Sequence, residues 1–147
     1  MDEQDGEKVP VVQPVSAVAA ETEVNIGNPV ILVVDDNRDI VWLIKETLSF
    51  EYVVREAFNA EEALALMEQQ TPDLIITDIE MPEMDGHHLT KLVKSDEEMK
   101  GIPLIIFSSL INSEMRIKGK QLGADEQLSK PEIGHLVEVM DTLLKRR

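Results

Sequence analysis

From Pro29 onward, short runs of branched apolar residues alternate with stretches whose apolar positions recur at helical spacing. Residues 30–34, 52–55, 74–77, 104–107 and 127–129 predict strands, because each run is too short for an independent helix and is followed by loop or cap chemistry. Helices are predicted over 40–49, 61–70, 87–94, 114–122 and 133–145. In the first, Ile40, Leu43, Ile44 and Thr47 share one face at the i, i+3, i+4, i+7 spacing and form the expected core face. Trp42 then lies about 200° round the helical wheel from Ile40, on the solvent side. The second helix opens with Ala60-Glu61-Glu62, acids where the helix dipole favours them. Gly123 stops the fourth, and Pro72 and Pro103 sit just before strands. Five strands alternating with five helices imply an α/β fold: a doubly wound (βα)5 sheet of five parallel strands, covered on both faces.

Residues 1–28 show neither period. Pro10 and Pro14 interrupt a Val/Ala-rich stretch flanked by acids, so this segment is expected to be a flexible tail or linker, with one domain over 29–147. A length of 147 residues suits that division.

The net charge of −15 argues against unaided binding to nucleic acid or anionic lipid, both of which select clustered Lys and Arg. It suits cations or basic protein surfaces, and solubility alone accounts for it equally well. Residues 1–28 hold six acids against Lys8, so about −10 remains on the domain. No apolar run reaches the ~18 residues of a membrane helix, and the acidic start is unlike a secretory signal. Without cysteine there is no disulfide framework or thiolate site. The expectation is a cytoplasmic protein with no membrane or nucleic-acid partner.

Ligand sites in such sheets lie beyond the carboxyl ends of the strands. There the sequence places Asp35-Asp36-Asn37, Asp78, Ser108-Ser109 and Lys130-Pro131. Singly, each has a bland reading: Asp35 or Asp36 as a helix cap, Asp78 as a turn acid, Ser108 as a loop hydroxyl, Lys130 as a solvated lysine. Together they put three carboxylates, a hydroxyl and a lysine on one edge. Carboxylates within ~5 Å repel by several kcal/mol per pair at an effective dielectric near 20, so protonation, Lys130 or a cation must relieve them. All-oxygen ligands on separate loops suit Mg2+, and a carboxylate beside that ion is a plausible nucleophile for phosphoryl transfer.

The order Asp35-Asp36, Asp78 with Met81-Pro82-x-Met84-Asp85-Gly86, Ser108 and Lys130-Pro131 resembles the receiver domain of two-component response regulators, over all of 29–147. The resemblance implies the flavodoxin-like, CheY-like fold. It implies that Asp36, Asp78 and the main-chain carbonyl of Glu80 ligate Mg2+, with Asp35 acting mostly through water. Asp78 would be the phosphoacceptor, served by a sensor histidine kinase. Lys130 would pair with one phosphoryl oxygen, the Ser108 hydroxyl would move to bond another, and the Lys130–Pro131 bond would be cis. Such a chain is no enzyme beyond taking a phosphoryl group onto itself and losing it slowly. It signals to a downstream protein target, as a monomer or weak dimer. The stretches 84–90, 107–112 and 129–134 look like the receiver half of CheV-type chemotaxis coupling proteins, whereas 35–42 look more like receivers of hybrid sensor kinases.

Two positions depart from the common pattern. Gln127 stands where receivers usually carry a Tyr or Phe switch, so output is expected through Ser108 and an amide hydrogen bond of Gln127. Glu80 and Leu110, two residues after Asp78 and Ser108, flank the pocket mouth, and an apolar Leu110 is expected to exclude water and prolong the phosphorylated state.

Other readings are weaker. Asp35-x-Asn37-x-Asp39 has part of an EF-hand spacing but Ile40 where that loop needs Gly. His87 and His88 are expected to be exposed, His135 stands alone, and no zinc set is evident. A phosphatase forming an aspartyl phosphate would want Asp rather than Glu80 two after the nucleophile. A flavin module would want a phosphate loop where Asp35-Asp36 stand. A non-phosphorylated interaction module, or pseudo-receiver, is opposed only by the completeness of the pocket.

Overall fold

A computed structural model describes residues 27–81, 83–109, 111–130 and 132–146. All but the last two residues of the expected tail lie outside these. Five strands and five helices alternate: β1 (Val30–Val34), α1 (Arg38–Leu48), β2 (Val53–Ala57), α2 (Ala60–Gln69), β3 (Leu74–Thr77), α3 (Gly86–Ser95), β4 (Leu104–Ser108), α4 (Ser113–Leu122), β5 (Glu126–Ser129) and α5 (Ile133–Arg146). The strands pair in parallel in the order β2-β1-β3-β4-β5.

Successive strand side chains point to opposite faces, and both faces are dry, so β1 and β3 read as unbroken apolar runs. Ile31, Val33, Leu74 and Ile76 join Val41 and Ile44 of α1 and Leu136 and Met140 of α5 in one core. Leu32, Val34 and Ile75 join Ala63 and Met67 of α2 and Leu89 and Val93 of α3 in the other. From β1 the chain crosses outward to β2 over one face, and from β3 it crosses to β4 over the other. A crevice therefore opens between the carboxyl ends of β1 and β3, the switch point of the winding.

The core face of α1 differs from the expected one. Val41, Ile44 and Leu48 are buried, Ile40 is half-buried, and Leu43 and Thr47 are exposed. The stripe 41/44/48 is aliphatic throughout. The stripe beginning at Ile40 ends in Thr47, whose hydroxyl instead donates to the Leu43 carbonyl at 2.8 Å. Trp42 is exposed as expected, and Phe50 beyond it more so.

Side chains close the ends of the sheet. Tyr52, ahead of β2, donates its hydroxyl to Asp141 of α5. On the other face Lys94 donates to the carbonyl of Ile102 at 2.7 Å and to Asp125 at 2.9 Å. The Asp125 carboxylate also accepts from the Leu104 N–H, tying α3 to both edges of the β4 crossover.

Candidate functional site

The sheet itself positions the acidic residues. The ladder runs one residue past each strand: Asp35 N–H donates to the Ala57 carbonyl and Asp78 N–H to the Val34 carbonyl, both at 3.0 Å. Lys130 N–H donates to the Ser108 carbonyl at 3.2 Å in the same way. Asp35, Asp78 and Lys130 thus converge because their backbones still belong to the sheet.

The first helix is capped by Asn37, whose side-chain oxygen accepts from Asp39 and Ile40 N–H. Asp36 is thereby left exposed with its carboxylate uncommitted to the cap, while Asp35 Oδ1 accepts from Asn37 N–H at 2.9 Å. The β3–α3 loop turns back through Glu83 at φ 68, and Asp85 caps α3 by accepting from His88 N–H at 2.9 Å. Gly86 N–H then donates to the Ile79 carbonyl. A Cβ on Gly86 would lie 1.9 Å from the Asp78 carbonyl oxygen, so only glycine allows this approach.

Asp35, Asp36 and Asp78 each offer a carboxylate oxygen within 4.8 Å of the others, the arrangement of a possible metal site. Lys130 Nζ donates to Asp35 Oδ2 at 2.6 Å and to Asp78 Oδ2 at 3.2 Å, and its side chain is mostly buried. Asp78 Oδ1 accepts from Ile79 N–H at 2.7 Å. Burial pushes the Asp35 carboxyl above its ordinary range against the opposing hydrogen bond from Lys130, and Asp78 adds repulsion. Burial works to lower the Lys130 ammonium, but its bonds to Asp35 and Asp78 prevail and hold it above its ordinary value. This lysine stays charged, and its single positive charge among three clustered carboxylates leaves two in excess.

The pocket above these groups has a volume of about 750 Å3 and is lined among others by Asp36, Asp78, Glu80, Ser109, Met115 and Lys130. Glu80 is exposed at its wall. Ser108, by contrast, is fully buried at the end of β4, so the hydroxyl lining the open pocket is that of Ser109, which the sequence reading passed over. The adjacency Ser108-Ser109 carried no signal to separate the two. Leu110 and Pro131 lie outside the described residues. A concavity of about 370 Å3 at the opposite edge, by Val30 and Leu66, has Arg55 as its one charged lining residue among those described.

Gln127 lies at the second position of β5. Its amide donates to the Arg116 carbonyl at 2.8 Å, and Arg116 Nη1 donates to the Gln127 carbonyl at 3.1 Å. The side chain fits because residue 119 is glycine: a Cβ there would fall 2.3 Å from Gln127 Oε1. The histidine expectation divides. His88 is exposed, but His87 is only 4% exposed, because α4 packs over the first turn of α3.

A 2-1-3-4-5 parallel sheet with this edge is a flavodoxin-like fold of the CheY type. The chain belongs to the response regulator receiver domain family, which it matches over residues 31–141. Such domains are signalling modules of two-component systems. Hybrid signal transduction histidine kinase D of Dictyostelium discoideum is 37% identical over 112 residues, 76% of this chain and 7% of that protein. The chain spans between 7% and 39% of the length of the curated relatives it matches. The receiver domain of the Francisella response regulator 1452 superposes with a TM-score of 0.74 at 35% identity, covering 81% of this chain and 98% of that one. Vibrio cholerae chemotaxis protein CheY4 gives 0.75 at 29% identity, covering 80% and 99%. Among the described residues no helix is long and apolar enough to cross a membrane.

Proposed function

We propose that this chain is a phosphoacceptor that takes a phosphoryl group on Asp78 from the phosphohistidine of a sensor histidine kinase and signals through protein contacts. The observation that carries the reading is the Lys130 ammonium spanning Asp35 and Asp78 beside an uncapped, exposed Asp36. A bond forms between an Asp78 carboxylate oxygen and phosphorus while the phosphorus–nitrogen bond breaks. Its electron pair stays on the imidazole, which takes a proton from water.

The donor set fits Mg2+: carboxylate oxygens from separate backbone positions, one of them exposed, opening on a pocket roomy enough for retained waters. Asp36, Asp78 and the Glu80 main-chain carbonyl would hold the ion, with Asp35 acting through water. When bound it supplies the positive charge that offsets the carboxylates and the incoming phosphoryl oxygens. Lys130 holds Asp78 in place before transfer and is free to follow a phosphoryl oxygen afterwards. The Ser108 hydroxyl bonds another oxygen once it rotates out of its buried site, and Gln127 carries the change to α4 through its bonds with Arg116. Leu110 slows loss of the group by screening water from Asp78. Similarity to a chemotaxis CheY supports a motility pathway, and similarity to hybrid kinases supports a relay within a larger sensor protein.

Incubation with acetyl phosphate and Mg2+ should add the mass of one phosphoryl group to the wild type and none to Asp78→Asn with its fold intact. Labelling of Asp78→Asn at the full rate would move the acceptor elsewhere. An unlabelled wild type would make this a non-phosphorylated interaction module. Comparing Ser108→Ala with Ser109→Ala would decide which hydroxyl supports the phosphorylated state.

A further inference from the structure

The seam between α3 and α4 contains a buried base that the phosphoacceptor reading does not use. His87 stands one residue past the Gly86 that packs on Asp78, and it is 4% exposed. Its Nε2 is sealed from solvent and has no hydrogen-bond partner. The ring faces the first turn of α4, where Met115 lines the same space. A concavity of about 420 Å3 beside it is lined by Ile79, Asp85, Glu114, Met115 and Lys118, among others. Met115 and Asp85 also line the acidic pocket, so this turn of α4 borders both places.

We infer that His87 is a proton-sensitive brace: neutral, it holds the first turn of α4 against α3, and protonated, it releases that turn. A proton on Nε2 would create a buried charged donor with no acceptor, a state that folded proteins avoid by moving the group to water. The open side is the concavity under α4, so hydration of the charge displaces that helix. The charged groups facing the ring are mixed. Lys118 of α4 repels an imidazolium, Asp85 at the start of α3 attracts it, and Glu114 of α4 lines the same space. Lys91 stands one turn further along α3. Burial and then Lys118 outweigh Asp85 and the Met115 backbone, which holds the ring below its ordinary range.

The sign follows. A braced state that takes its proton at lower pH than the released state is fully favoured above the ordinary histidine value. It is lost progressively as pH falls below ~6.5, by up to ~tenfold per pH unit. The inference goes beyond the phosphoacceptor reading and needs neither phosphate nor metal.

The test is amide exchange of residues 113–122 in the full chain in EDTA, at pH ~5.5 and ~7.5 with intrinsic rates divided out. Wild type should lose up to ~tenfold of its protection at the lower pH. His87→Leu removes the titration, and His87→Gln removes it while keeping a polar side chain, so either variant should hold its protection. The His87 ring resonances should titrate below ~6.5. Equal loss of protection in wild type and either variant, or a ring midpoint at or above ~6.5, would overturn the brace.

Discussion

Removing a carboxylate from the acidic edge should stabilise the protein, provided that no cation is present. Asp36 is the informative position, because it is exposed, caps nothing and shows no bond to Lys130. Its oxygen lies within 4.8 Å of those of Asp35 and Asp78, a spacing that costs ~3.5 kcal/mol per pair at an effective dielectric of 20 and ~0.9 in water. Exposure puts Asp36 near the lower figure, and attraction to Lys130 cancels roughly one of its two repulsions. Asp36→Asn should then gain about 1 kcal/mol, a few degrees in Tm for a domain of this size. Urea unfolding in EDTA measures it, with Asp36→Ala as a control for new bonds by the amide. With Mg2+ the order should reverse, since an ion at a hundred times its Kd stabilises the wild type by ~2.7 kcal/mol and the variant lacks one ligand. If both Asp36 variants are no more stable than wild type in EDTA, crowding does not govern this edge and the electrostatic case for a cation fails.

Three further outcomes are expected. Gly86→Ala should destabilise by more than ~2 kcal/mol in denaturant unfolding and slow acetyl phosphate labelling, since its Cβ must displace the Asp78 backbone; wild-type behaviour would show the loop yields freely. Tyr52→Phe should cost ~1 kcal/mol at neutral pH through the lost bond to Asp141. Burial and then Asp141 raise the Tyr52 phenol, so the folded state keeps a proton that the unfolded state sheds, and stability falls as pH rises past the ordinary ~10. Tyr52→Phe should flatten that alkaline limb, and an unchanged slope would assign it to other groups. Gln127→Ala should speed amide exchange in α4 and alter partner binding by the phosphorylated form; unchanged binding in both states would leave Gln127 without a signalling role.

The elements were legible because each is a short run of one period, and the sheet edge followed from the rule that α/β sites lie past carboxyl strand ends. That rule brings Asp35, Asp36, Asp78 and Lys130 together from the sequence alone. The face of α1 was misread from spacing because two stripes overlap at Ile44, one running out in Thr47 and the other, with Val41 and Leu48, aliphatic to its end and buried on the sheet. The burial of His87 was hidden for a related reason. Its cover comes from α4, some thirty residues on, and no local pattern around Gly86-His87-His88 encodes that contact. Which of Ser108 and Ser109 lines the open pocket was not legible, because a one-residue step at a strand end decides which hydroxyl turns inward.

The ladder that runs one residue beyond β1 and β3 divides the labour of the chain. The carboxylate that would react is registered by the central strands, among the last parts of such a fold to open. The stretch from Ile79 to Asp85 hangs from that fixed point, held at one end by buried Ile79 and at the other by the Asp85 cap, and it presents Glu80 and Glu83 to solvent between them while Gly86 keeps the return path. The acidic edge and the exposed loop beside it are therefore held by separate parts of the chain, so a change at Glu80 or Glu83 leaves the register of the strands as it is.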